Sequence, residues 1–282
     1  MSPNPSPNRV LVTGAAGRIG RAVVDALHAR RVAVTALVLP GTPCPADRVV
    51  EGSVCDAATV RAALAEVDGV VHLAARPAPH RGTPYEVFGE NTLGTFTVLE
   101  EAGRAGVRNA VVASSLAANG LPFAAEPLSP AYVPLDASVP SRAEDPYALS
   151  KLADEQTAAM MSRRHGMTVV ALRYPFVGGF AERLDEHARK VAADPALGAA
   201  DLWSYLETRD AARAAVLALR VEGGSHVFHV AAPHTLAPYP TLDLLRRFHP
   251  TTEIRADLPG RTTPLDLGPA RKLLGFTAEH VV

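Results

Sequence analysis

The sequence predicts an α/β protein built on a doubly wound parallel sheet, with a small mixed α/β lobe in its C-terminal third. Three observations favour this fold. Short, continuously apolar segments alternate with amphipathic helical segments up to about residue 176, which is typical of a parallel sheet covered on both faces. The first apolar segment runs directly into a glycine-rich turn, VTGAAGRIG at residues 12–20. Beyond residue 176 the alternation becomes irregular.

The predicted strands and helices follow one another in a regular order. The expected strands are continuously apolar, and the expected helices carry apolar residues at helical spacing. The strands are RVLVT (9–13), VAVTALVL (32–39), GVVHLAA (69–75), NAVVASS (109–115) and MTVVALRY (167–174). The helices are GRIGRAVVDALHAR (17–30), AATVRAALAEV (57–67) and the segments 85–105 and 147–164.

Composition and charge exclude several classes of protein. The 282 residues are 48% hydrophobic and 20% charged, which is enough for a substantial core. The net charge is −1, so we expect no nucleic-acid partner. No apolar stretch reaches the ~18 residues of a membrane-spanning helix, so we expect no membrane partner. The two cysteines, Cys44 and Cys55, form no metal-binding pattern and fit a cytoplasmic protein.

The glycine-rich turn after the first strand predicts a dinucleotide site. Gly14 permits a tight turn, Gly17 allows close backbone approach to a pyrophosphate, and Gly20 lets the first helix pack against the strand. The N-terminus of that helix offers N–H groups and the positive end of the helix dipole to the phosphates. The alternative is a glycine-rich turn that binds nothing, but its position between a strand and a helix argues against this.

The chain is predicted to have three parts. Residues 1–8 are polar and rich in proline and are expected to form a disordered tail. Residues 9–176 would form the dinucleotide-binding Rossmann domain, and residues 177–282 a small substrate-binding lobe of short strands and helices. Residues 120–146 are rich in proline, alanine and serine and predict a long loop over the carboxyl ends of the strands, where ligands of such folds bind.

The segment DPYALSK (145–151) places a tyrosine and a lysine on one face of a predicted helix. Asp145 can cap this helix and Pro146 fits its first position. Tyr147 and Lys151 are then four residues apart and lie side by side. On its own, this pattern is also common on helix surfaces.

Several segments in a fixed order resemble the extended short-chain dehydrogenase/reductase superfamily, in its NAD-dependent epimerase/dehydratase branch. The resemblance covers nearly the whole chain and is most specific in the nucleotide-binding half. The segments are TGAAGRIG (13–20), VVHLAA (70–75), ENTLGTFTVLEEA (90–102), ASSLAANG (113–120), YALSK (147–151), LWSYLETRDAARAAVLAL (202–219) and ARKLLGF (270–276).

The resemblance implies that Ser115, Tyr147 and Lys151 are catalytic. Tyr147 would be the acid/base. A free tyrosine titrates near pKa ~10, and a neighbouring cation favours the phenolate. Lys151 would supply that cation and also hold the ribose hydroxyls of the cofactor. Ser115 would hold the substrate oxygen, whereas Ser114 would face the other side of the strand.

The resemblance also implies a cofactor site and a substrate site. The expected cofactor is NAD, which the branch mostly uses, or alternatively NADP. Cofactor contacts are expected at Gly14, Gly17, Arg18, Ile19, Gly20, Ser53, Val54, Leu73, Ala74, Ala75, Asn91, Tyr147, Lys151, Tyr174 and Val177. Substrate contacts are expected at Arg76, Leu116, Asn119, Phe176, Trp203 and Arg209, although core packing is the alternative for Phe176 and Trp203.

The end of the second predicted strand leaves the choice between NAD and NADP open. An acidic residue there would bind the adenine ribose hydroxyls, whereas an arginine would favour the 2′-phosphate of NADP. Val38 and Leu39 occupy these places instead. Arg18 is the nearest cation in the glycine turn.

Departures from the branch narrow the expected chemistry. Its 4,6-dehydratases carry an Asp-Glu pair after the catalytic serine or threonine, but Leu116 and Ala117 stand there, which argues against dehydration. Asn119 and Phe176 replace a tyrosine and an asparagine that are common in nucleotide-sugar epimerases.

Two substrate classes therefore stay open. One is a nucleotide sugar held in a modified way, through Arg173, Arg209 or Arg261. The other is a smaller sugar, sugar acid or other secondary alcohol or ketone.

We predict an NAD(P)-dependent oxidoreductase or epimerase that acts on a secondary hydroxyl or ketone of such a substrate. The alternative is a catalytically silent dinucleotide-binding or regulatory protein, which the presence of the serine, tyrosine and lysine argues against. No cluster of histidines and acidic residues has metal-ligand spacing, so the mechanism is expected to be metal-free, and His72 is given no catalytic role.

Helices 85–105 and 147–164 match those that form the dimer interface in the superfamily, which predicts a homodimer.

Overall fold

A seven-stranded parallel sheet forms the centre of the protein. The structure is a computed structural model that describes residues 7–282. The strands are Arg9–Thr13 (β1), Ala33–Val38 (β2), Arg48–Glu51 (β3), Gly69–His72 (β4), Asn109–Ser115 (β5), Tyr132–Val133 (β6), Thr168–Tyr174 (β7), Phe176–Gly178 (β8), Tyr205–Glu207 (β9), Ser225–His229 (β10) and Glu253–Ile254 (β11). The order in the central sheet is β3-β2-β1-β4-β5-β7-β10, and all neighbouring strands in it pair in parallel.

Helices cover both faces of this sheet. They are Arg18–His28 (α1), Ala57–Ala63 (α2), Pro84–Arg104 (α3), Pro146–His165 (α4), Arg183–Ala193 (α5), Thr208–Ala218 (α6), Thr241–Phe248 (α7) and Gly268–Leu274 (α8). α1 packs against α6 in one layer, and α3 packs against α2 and α4 in the other. Successive residues of β1 point to opposite faces, so Val10 and Val12 enter one apolar cluster while Leu11 enters the other. The predicted doubly wound sheet is therefore confirmed.

The strand order reverses between β1 and β4, which are neighbours in the sheet. The chain moves outward from β1 to β2 and β3, returns to β4, and continues to β5, β7 and β10. Ligands of such sheets bind outside the carboxyl ends of the strands at this kind of reversal. The glycine turn follows β1 directly and so lies at this point.

The chain is already tied down just before β1. The N–H of Asn8 donates to the Asp68 carboxylate at 2.9 Å, and the Asn8 side-chain amide donates to the same oxygen at 3.2 Å. Asn8 therefore does not belong to a disordered tail as predicted. Residues 1–6 of that predicted tail lie outside the described residues.

Two strands of the sheet differ from the expectation. β3 is not predicted by the sequence, because its residues at the sheet edge alternate between half-buried and exposed instead of forming an apolar run. β10 comes from beyond residue 176, the predicted end of the Rossmann domain, and pairs with β7. The boundary at 176 therefore does not separate the sheet from the remaining chain, and the division into domains stays a prediction.

The segment 120–146 packs against the C-terminal third of the chain. β6, which lies in this segment, pairs with β11, and β8 pairs with β9 in a second two-stranded sheet. Buried leucines join the same parts of the molecule, because Leu135 packs in one cluster with Leu202 and Leu265. The predicted loop is therefore held in place by a small apolar core of its own.

Gly20→Ala is expected to destabilise the protein. A Cβ at this position would lie 2.2 Å from the carbonyl oxygen of Gly14 and 2.8 Å from the backbone of Ala15, so α1 would have to move away from the turn. Overpacking of this kind costs roughly 1–3 kcal/mol or more. Urea unfolding followed by circular dichroism measures the loss. Arg21→Ala, an exposed change in the same helix, should stay within about 0.5 kcal/mol of wild type, and equal losses in both variants would contradict the expectation.

Candidate active site

The glycine turn has the geometry of an anion-binding cradle. Gly14 adopts φ +65°, and a Cβ there would lie 2.8 Å from the backbone nitrogen of Ala74. The N-cap of α1 is Gly17, which provides no side-chain cap, whereas α2, α3 and α4 are each capped by an aspartate or threonine. The first N–H groups of α1 are therefore free of a side-chain partner at a positive helix end. These features fit the pyrophosphate of a dinucleotide.

Buried polar side chains fasten this turn to the loop after β4. The hydroxyl of Thr13 accepts the N–H groups of Leu73 and Ala74, both at 3.2 Å, and lies 2.7 Å from Nδ1 of His72. Nε2 of His72 lies 3.1 Å from the Thr95 hydroxyl on α3. Burial, together with the charge of Lys151, lowers the pKa of His72 to about 3. His72 is therefore a neutral bridge between β1, β4 and α3, which agrees with its having no catalytic role.

The three predicted catalytic residues lie around the carboxyl end of β5. Ser115 is the last residue of β5 and is half-buried. Tyr147 lies in the first turn of α4, which begins at the Asp145 cap, and is 8% exposed. Lys151 follows one turn later, with its Nζ 5.9 Å from the centre of the Tyr147 ring. Nζ also donates to the carbonyl oxygen of Ala113 at 3.0 Å, which joins α4 directly to β5.

Lys151 is held in an ion pair that the sequence analysis missed. Its Nζ donates to Oδ2 of Asp154 at 3.1 Å, and both side chains are buried. Burial lowers the pKa of Lys151, but Asp154 and Tyr147 raise it by more, so the pKa lies above its ordinary value. Lys151 is therefore charged at neutral pH. The i, i+3 spacing from Lys151 places Asp154 on the same helix face and could have revealed it.

The two serines at the end of β5 have different surroundings. The buried hydroxyl of Ser114 donates to Glu155 at 2.5 Å, and Glu155 also accepts two hydrogen bonds of 2.8 Å from Arg173. The hydroxyl of Ser115 accepts the N–H of Ala117 at 3.1 Å. Because that bond uses a lone pair, the proton of the Ser115 hydroxyl is available to a ligand oxygen. This favours Ser115, as the sequence predicted.

An aromatic residue that the sequence analysis did not identify covers Tyr147. Phe123, in the segment 120–146, packs edge-on against the Tyr147 ring with 5.9 Å between ring centres. Val87, Ala117 and Ala148 complete a small apolar cluster around the two rings. The cluster shields one side of Tyr147 from water.

Two residues predicted to contact the cofactor instead make internal hydrogen bonds. Tyr174 is buried, its hydroxyl donates to the carbonyl oxygen of Ala211 at 3.1 Å, and burial raises its pKa above the usual range. The buried amide of Asn91 accepts the N–H of Arg76 at 2.7 Å and donates to the Arg76 carbonyl at 3.2 Å and to Ser150 at 3.0 Å. These internal hydrogen bonds fix α6 and the loop after β4, and the two cofactor contacts stay predictions.

The other predicted cofactor residues lie along the carboxyl edge of the sheet. Arg18 is exposed at the start of α1, and its Nε lies 3.8 Å from the Glu182 carboxylate. The remaining contacts stay predictions. They are Ile19 in α1, Ser53 and Val54 after β3, Leu73, Ala74 and Ala75 after β4, and Val177 in β8.

Two predicted substrate contacts lie in the apolar interior. Leu116 is 1% exposed and packs in the same cluster as Leu135. Trp203 is also 1% exposed, donates its Nε1–H to the carbonyl oxygen of Pro195 at 2.7 Å, and packs against Phe248. Neither side chain has surface left for a ligand, which argues against both predicted contacts.

Arg76 and Asn119, also predicted to contact substrate, make bonds within the protein. The Arg76 guanidinium donates to both carboxylate oxygens of Glu90, at 2.8 and 2.9 Å. Asn119 is buried, and its Oδ1 accepts the N–H of Leu121 at 2.9 Å. The side-chain nitrogen of Asn119 has no hydrogen-bond partner among the described residues. The Asn119 amide nitrogen is therefore buried and unpaired, whereas Arg76 is held against α3.

Phe176 and Arg209 both keep part of their surface exposed to solvent. The half-buried ring of Phe176 stacks on His187 at 4.1 Å and carries the Arg183 guanidinium 4.2 Å from its centre. The side chain of Arg209 is 58% exposed and lies 3.1 Å from Glu207. Arg183 and His187 were not identified from the sequence, because only the folding of α5 against β8 brings them to Phe176.

The sequence matches one family model over residues 10–231, most of the chain, and this is the NAD dependent epimerase/dehydratase family. The chain belongs to this family. The resemblance recognised in the sequence motifs, including the extended short-chain type, is therefore confirmed.

Individual proteins are similar to this chain over different lengths. A 3-diazoavenalumate denitrifying reductase from a Streptomyces species is 32% identical, covering 96% of this chain and 89% of the relative. A uronate dehydrogenase from Pseudomonas putida is 30% identical over 59% of this chain and 60% of the relative. The solved structure of MoeE5 in complex with UDP-glucose and NAD has a TM-score of 0.71 at 27% identity, covering 97% of this chain and 94% of that chain.

In this member of the family, a carboxylate lies near the end of β2 although β2 itself ends in apolar residues. Val38 is buried and Leu39 is 68% exposed. Glu51 pairs in register with Val38 at the end of β3, and its Oε1 accepts the N–H of Gly41 at 3.2 Å. Glu51 was not expected near the end of β2, because the apolar pattern does not predict β3. No arginine or lysine forms a hydrogen bond or ion pair with this carboxylate among residues 7–282.

The described residues offer neither a metal-binding cluster nor a membrane-spanning helix. Within residues 7–282, no group of three or more histidine, cysteine, aspartate or glutamate residues could hold a metal ion. None of the helices in this range has the length and apolar character needed to cross a membrane.

Proposed function

We propose that this protein is an NAD-dependent oxidoreductase that acts on a secondary hydroxyl or carbonyl group of a small polar substrate, such as a sugar or sugar acid. The arrangement of Tyr147 and Lys151 beside Ser115, at the carboxyl edge that also carries the uncapped glycine turn, is the observation that supports this proposal. A silent binding protein would not need a buried, charged lysine beside a tyrosine.

The proposed reaction divides the work between the cofactor and three side chains. Bound NAD supplies a hydride acceptor for an alcohol, or in its reduced form a hydride donor for a carbonyl. The Ser115 hydroxyl donates a hydrogen bond to the substrate oxygen and fixes its position. The charge of Lys151 stabilises the phenolate form of Tyr147, and as the alcohol loses hydride this phenolate takes the hydroxyl proton and becomes a neutral phenol. In the reverse direction Tyr147 returns the proton, while Phe123 limits the access of water.

The surroundings of Arg173, Arg209 and Arg261 favour a substrate that has no nucleotide diphosphate. Arg173 is 3% exposed and paired with Glu155. Arg261 donates to the carbonyl oxygen of Thr235 at 2.6 Å. Of the three arginines considered for gripping phosphates, Arg209 alone has most of its side chain exposed. The name of the uronate dehydrogenase relative agrees with a sugar-acid substrate, whereas the UDP-glucose complex of MoeE5 represents the nucleotide-sugar alternative.

A substrate panel tests the function. The purified protein is incubated with NAD or NADP and with uronates, neutral sugars and UDP-glucose, and absorbance is followed at the reduced-nicotinamide band. A rise with a uronate or sugar supports net oxidation. Conversion of UDP-glucose without a change in absorbance, detected by chromatography, would replace the proposal with epimerisation. Cofactor binding without turnover of any compound would support a silent protein.

Tyr147→Phe is expected to lower kcat by about 100-fold or more, because general acid–base catalysis contributes 10²–10⁴-fold. The dissociation constant for NAD should stay close to that of wild type, because the substitution removes one hydroxyl and keeps the ring packed against Phe123. Steady-state kinetics and fluorescence titration measure the two quantities. Tyr239→Phe, an exposed change far along the chain, is the control. Activity of the Tyr147 variant within about tenfold of wild type would show that Tyr147 is not the acid/base.

Leu39→Arg should shift cofactor preference toward NADP. The exposed side chain at the end of β2 would provide a cation for the 2′-phosphate, which wild-type Leu39 lacks. Dissociation constants for NAD and NADP are compared in wild type, Leu39→Arg and the uncharged control Leu39→Gln. We expect a modest wild-type preference for NAD. A wild-type preference above ~1000-fold, equivalent to about 4 kcal/mol, would reveal another determinant.

The homodimer predicted from the sequence is retained as a proposal. On α3, Leu93 and Phe96 are 52% and 44% exposed, and Leu149 on α4 is 51% exposed, whereas Val98 and Leu99 are buried. Exposed apolar side chains on two packed helices form a surface suited to a second copy. Light scattering at micromolar concentration should give twice the monomer mass. The double variant Leu93→Asp/Phe96→Asp should give the monomer mass, while Leu197→Asp should not. A monomeric wild type would refute the proposal.

A further inference from the structure

The ammonium group of Lys151 uses only two of its three N–H donors within the described residues. It carries three N–H donors, and two of them are used, by the carbonyl oxygen of Ala113 at 3.0 Å and by Asp154 at 3.1 Å. No third acceptor for Nζ is found among residues 7–282. The two bonds fix the direction of the side chain, so the remaining N–H has a defined direction too. A tyrosine ring lies 5.9 Å away.

Asp154 is buried more deeply than Lys151, and its side chain is 0% exposed. Among residues 7–282, its ion-pair partner is Lys151 alone. Glu155, the next residue, is buried as well, but Arg173 and Ser114 satisfy it. Burial raises the pKa of Asp154, and the neighbouring Lys151 and Thr95 oppose that rise.

An isolated buried ion pair of this kind is weak evidence for stability, because desolvation offsets the attraction between the charges. A role of the Lys151–Asp154 pair in catalysis explains its burial better than a contribution to stability does. The pair keeps a positive charge in a dry site, where it acts on the neighbouring tyrosine at low dielectric. Without the carboxylate, burial alone would favour a neutral lysine.

We propose that Asp154 is the positioning residue of the site: it keeps Lys151 charged and fixes its ammonium group beside Tyr147, leaving one N–H for a hydroxyl group of the bound cofactor. The inference rests on the proposed function for the roles of Tyr147 and Lys151. Asp154 acts through Lys151 and does not itself touch the reacting atoms.

The other groups around Lys151 leave Asp154 as the principal source of negative charge. On α4 these are Tyr147 and Glu155, and Glu155 is neutralised by Arg173 of β7. On β4 the facing group is His72, which is neutral because its pKa is about 3. β5 contributes the carbonyl oxygen of Ala113, and α3 contributes the uncharged hydroxyl of Thr95.

The chain offers a direct measurement, because it contains only three lysines, Lys151, Lys190 and Lys272. Lysine labelled with ¹³C at Cε gives three NMR signals, and Lys151→Arg identifies one by its loss. In wild type we expect the Lys151 signal to report a charged amine through pH 10. In Asp154→Asn it should titrate at a pH at least about one unit lower, since an opposite charge at this range shifts a pKa by 1–3. The signals of Lys190 and Lys272 serve as internal references and should behave identically in wild type and in Asp154→Asn.

Glu100→Gln is the matched control variant. Glu100 is also a buried carboxylate between α3 and α4, but its partners are Arg104, Arg164 and His165. This variant should lose stability and leave the Lys151 titration unchanged. An unchanged Lys151 titration in Asp154→Asn would overturn the inference, since Asp154 would then not supply the charge. If Asp154→Asn does not fold, the test is made on wild type. The NMR signal of the Asp154 carboxyl group reports when Asp154 takes up a proton. The Lys151 signal must change at the same pH, and a Lys151 signal that does not respond would overturn the inference.

Kinetics separate this inference from the proposed function. With a substrate from the panel, Asp154→Asn should lower kcat about tenfold or more and move the alkaline limb of the pH profile to lower pH, while Glu100→Gln keeps the wild-type profile. If Tyr147→Phe remains active, the proposed function fails, although the NMR result can still stand. If Tyr147→Phe is inactive and Asp154→Asn has the wild-type pH profile, the proposed function stands and the role of Asp154 is rejected.

Discussion

The close contact between the turn after β1 and the loop after β4 is the constraint on which the candidate site depends. Only a residue without a Cβ fits at Gly14, because the backbone of Ala74 lies against it. The hydroxyl of Thr13 holds the same loop through two backbone N–H groups, and neutral His72 extends the bridge to α3. The uncapped end of α1 therefore has a fixed position relative to the carboxyl ends of β4 and β5, where the tyrosine and lysine lie.

Neighbouring acidic residues on α4 serve two different purposes. Glu155 binds Arg173 with both oxygens and so connects α4 to β7, which is a structural link between a helix and the sheet. Asp154 instead binds Lys151 on its own helix, and within the described part of the chain it forms no ion pair with another element. Successive residues of a helix point about 100° apart, so the two carboxylates reach different partners. α4 therefore contacts the sheet through Glu155 and also carries the charged pair Lys151–Asp154.

The sequence predicted the central strands of the sheet and the residues at the centre of the candidate site. It did not predict the edge strand or the residues packed around the site. Apolar runs and helical spacing depend on neighbouring residues, so β1, β2, β4, β5, β7 and their helices were predictable. Tyr147 and Lys151 are likewise set by local spacing. β3 was not predictable from apolar character, because an edge strand alternates between water and protein. The burial of Trp203 depends on Phe248, 45 residues away, a contact that no local pattern encodes.

β10 returns to the sheet beside β7, although a long stretch of chain separates the two strands. The residues between β7 and β10 form an excursion from two adjacent strands, whose ends stay side by side whatever the length of the excursion. Lengthening such a connection costs little, since each doubling adds only about 0.6 kcal/mol of closure entropy. Insertions there can reshape the binding surface while the ladder between β7 and β10 is preserved. A fragment that stops after β7 would lose that ladder and expose a strand whose seven residues are all buried in the intact protein, a ready template for aggregation.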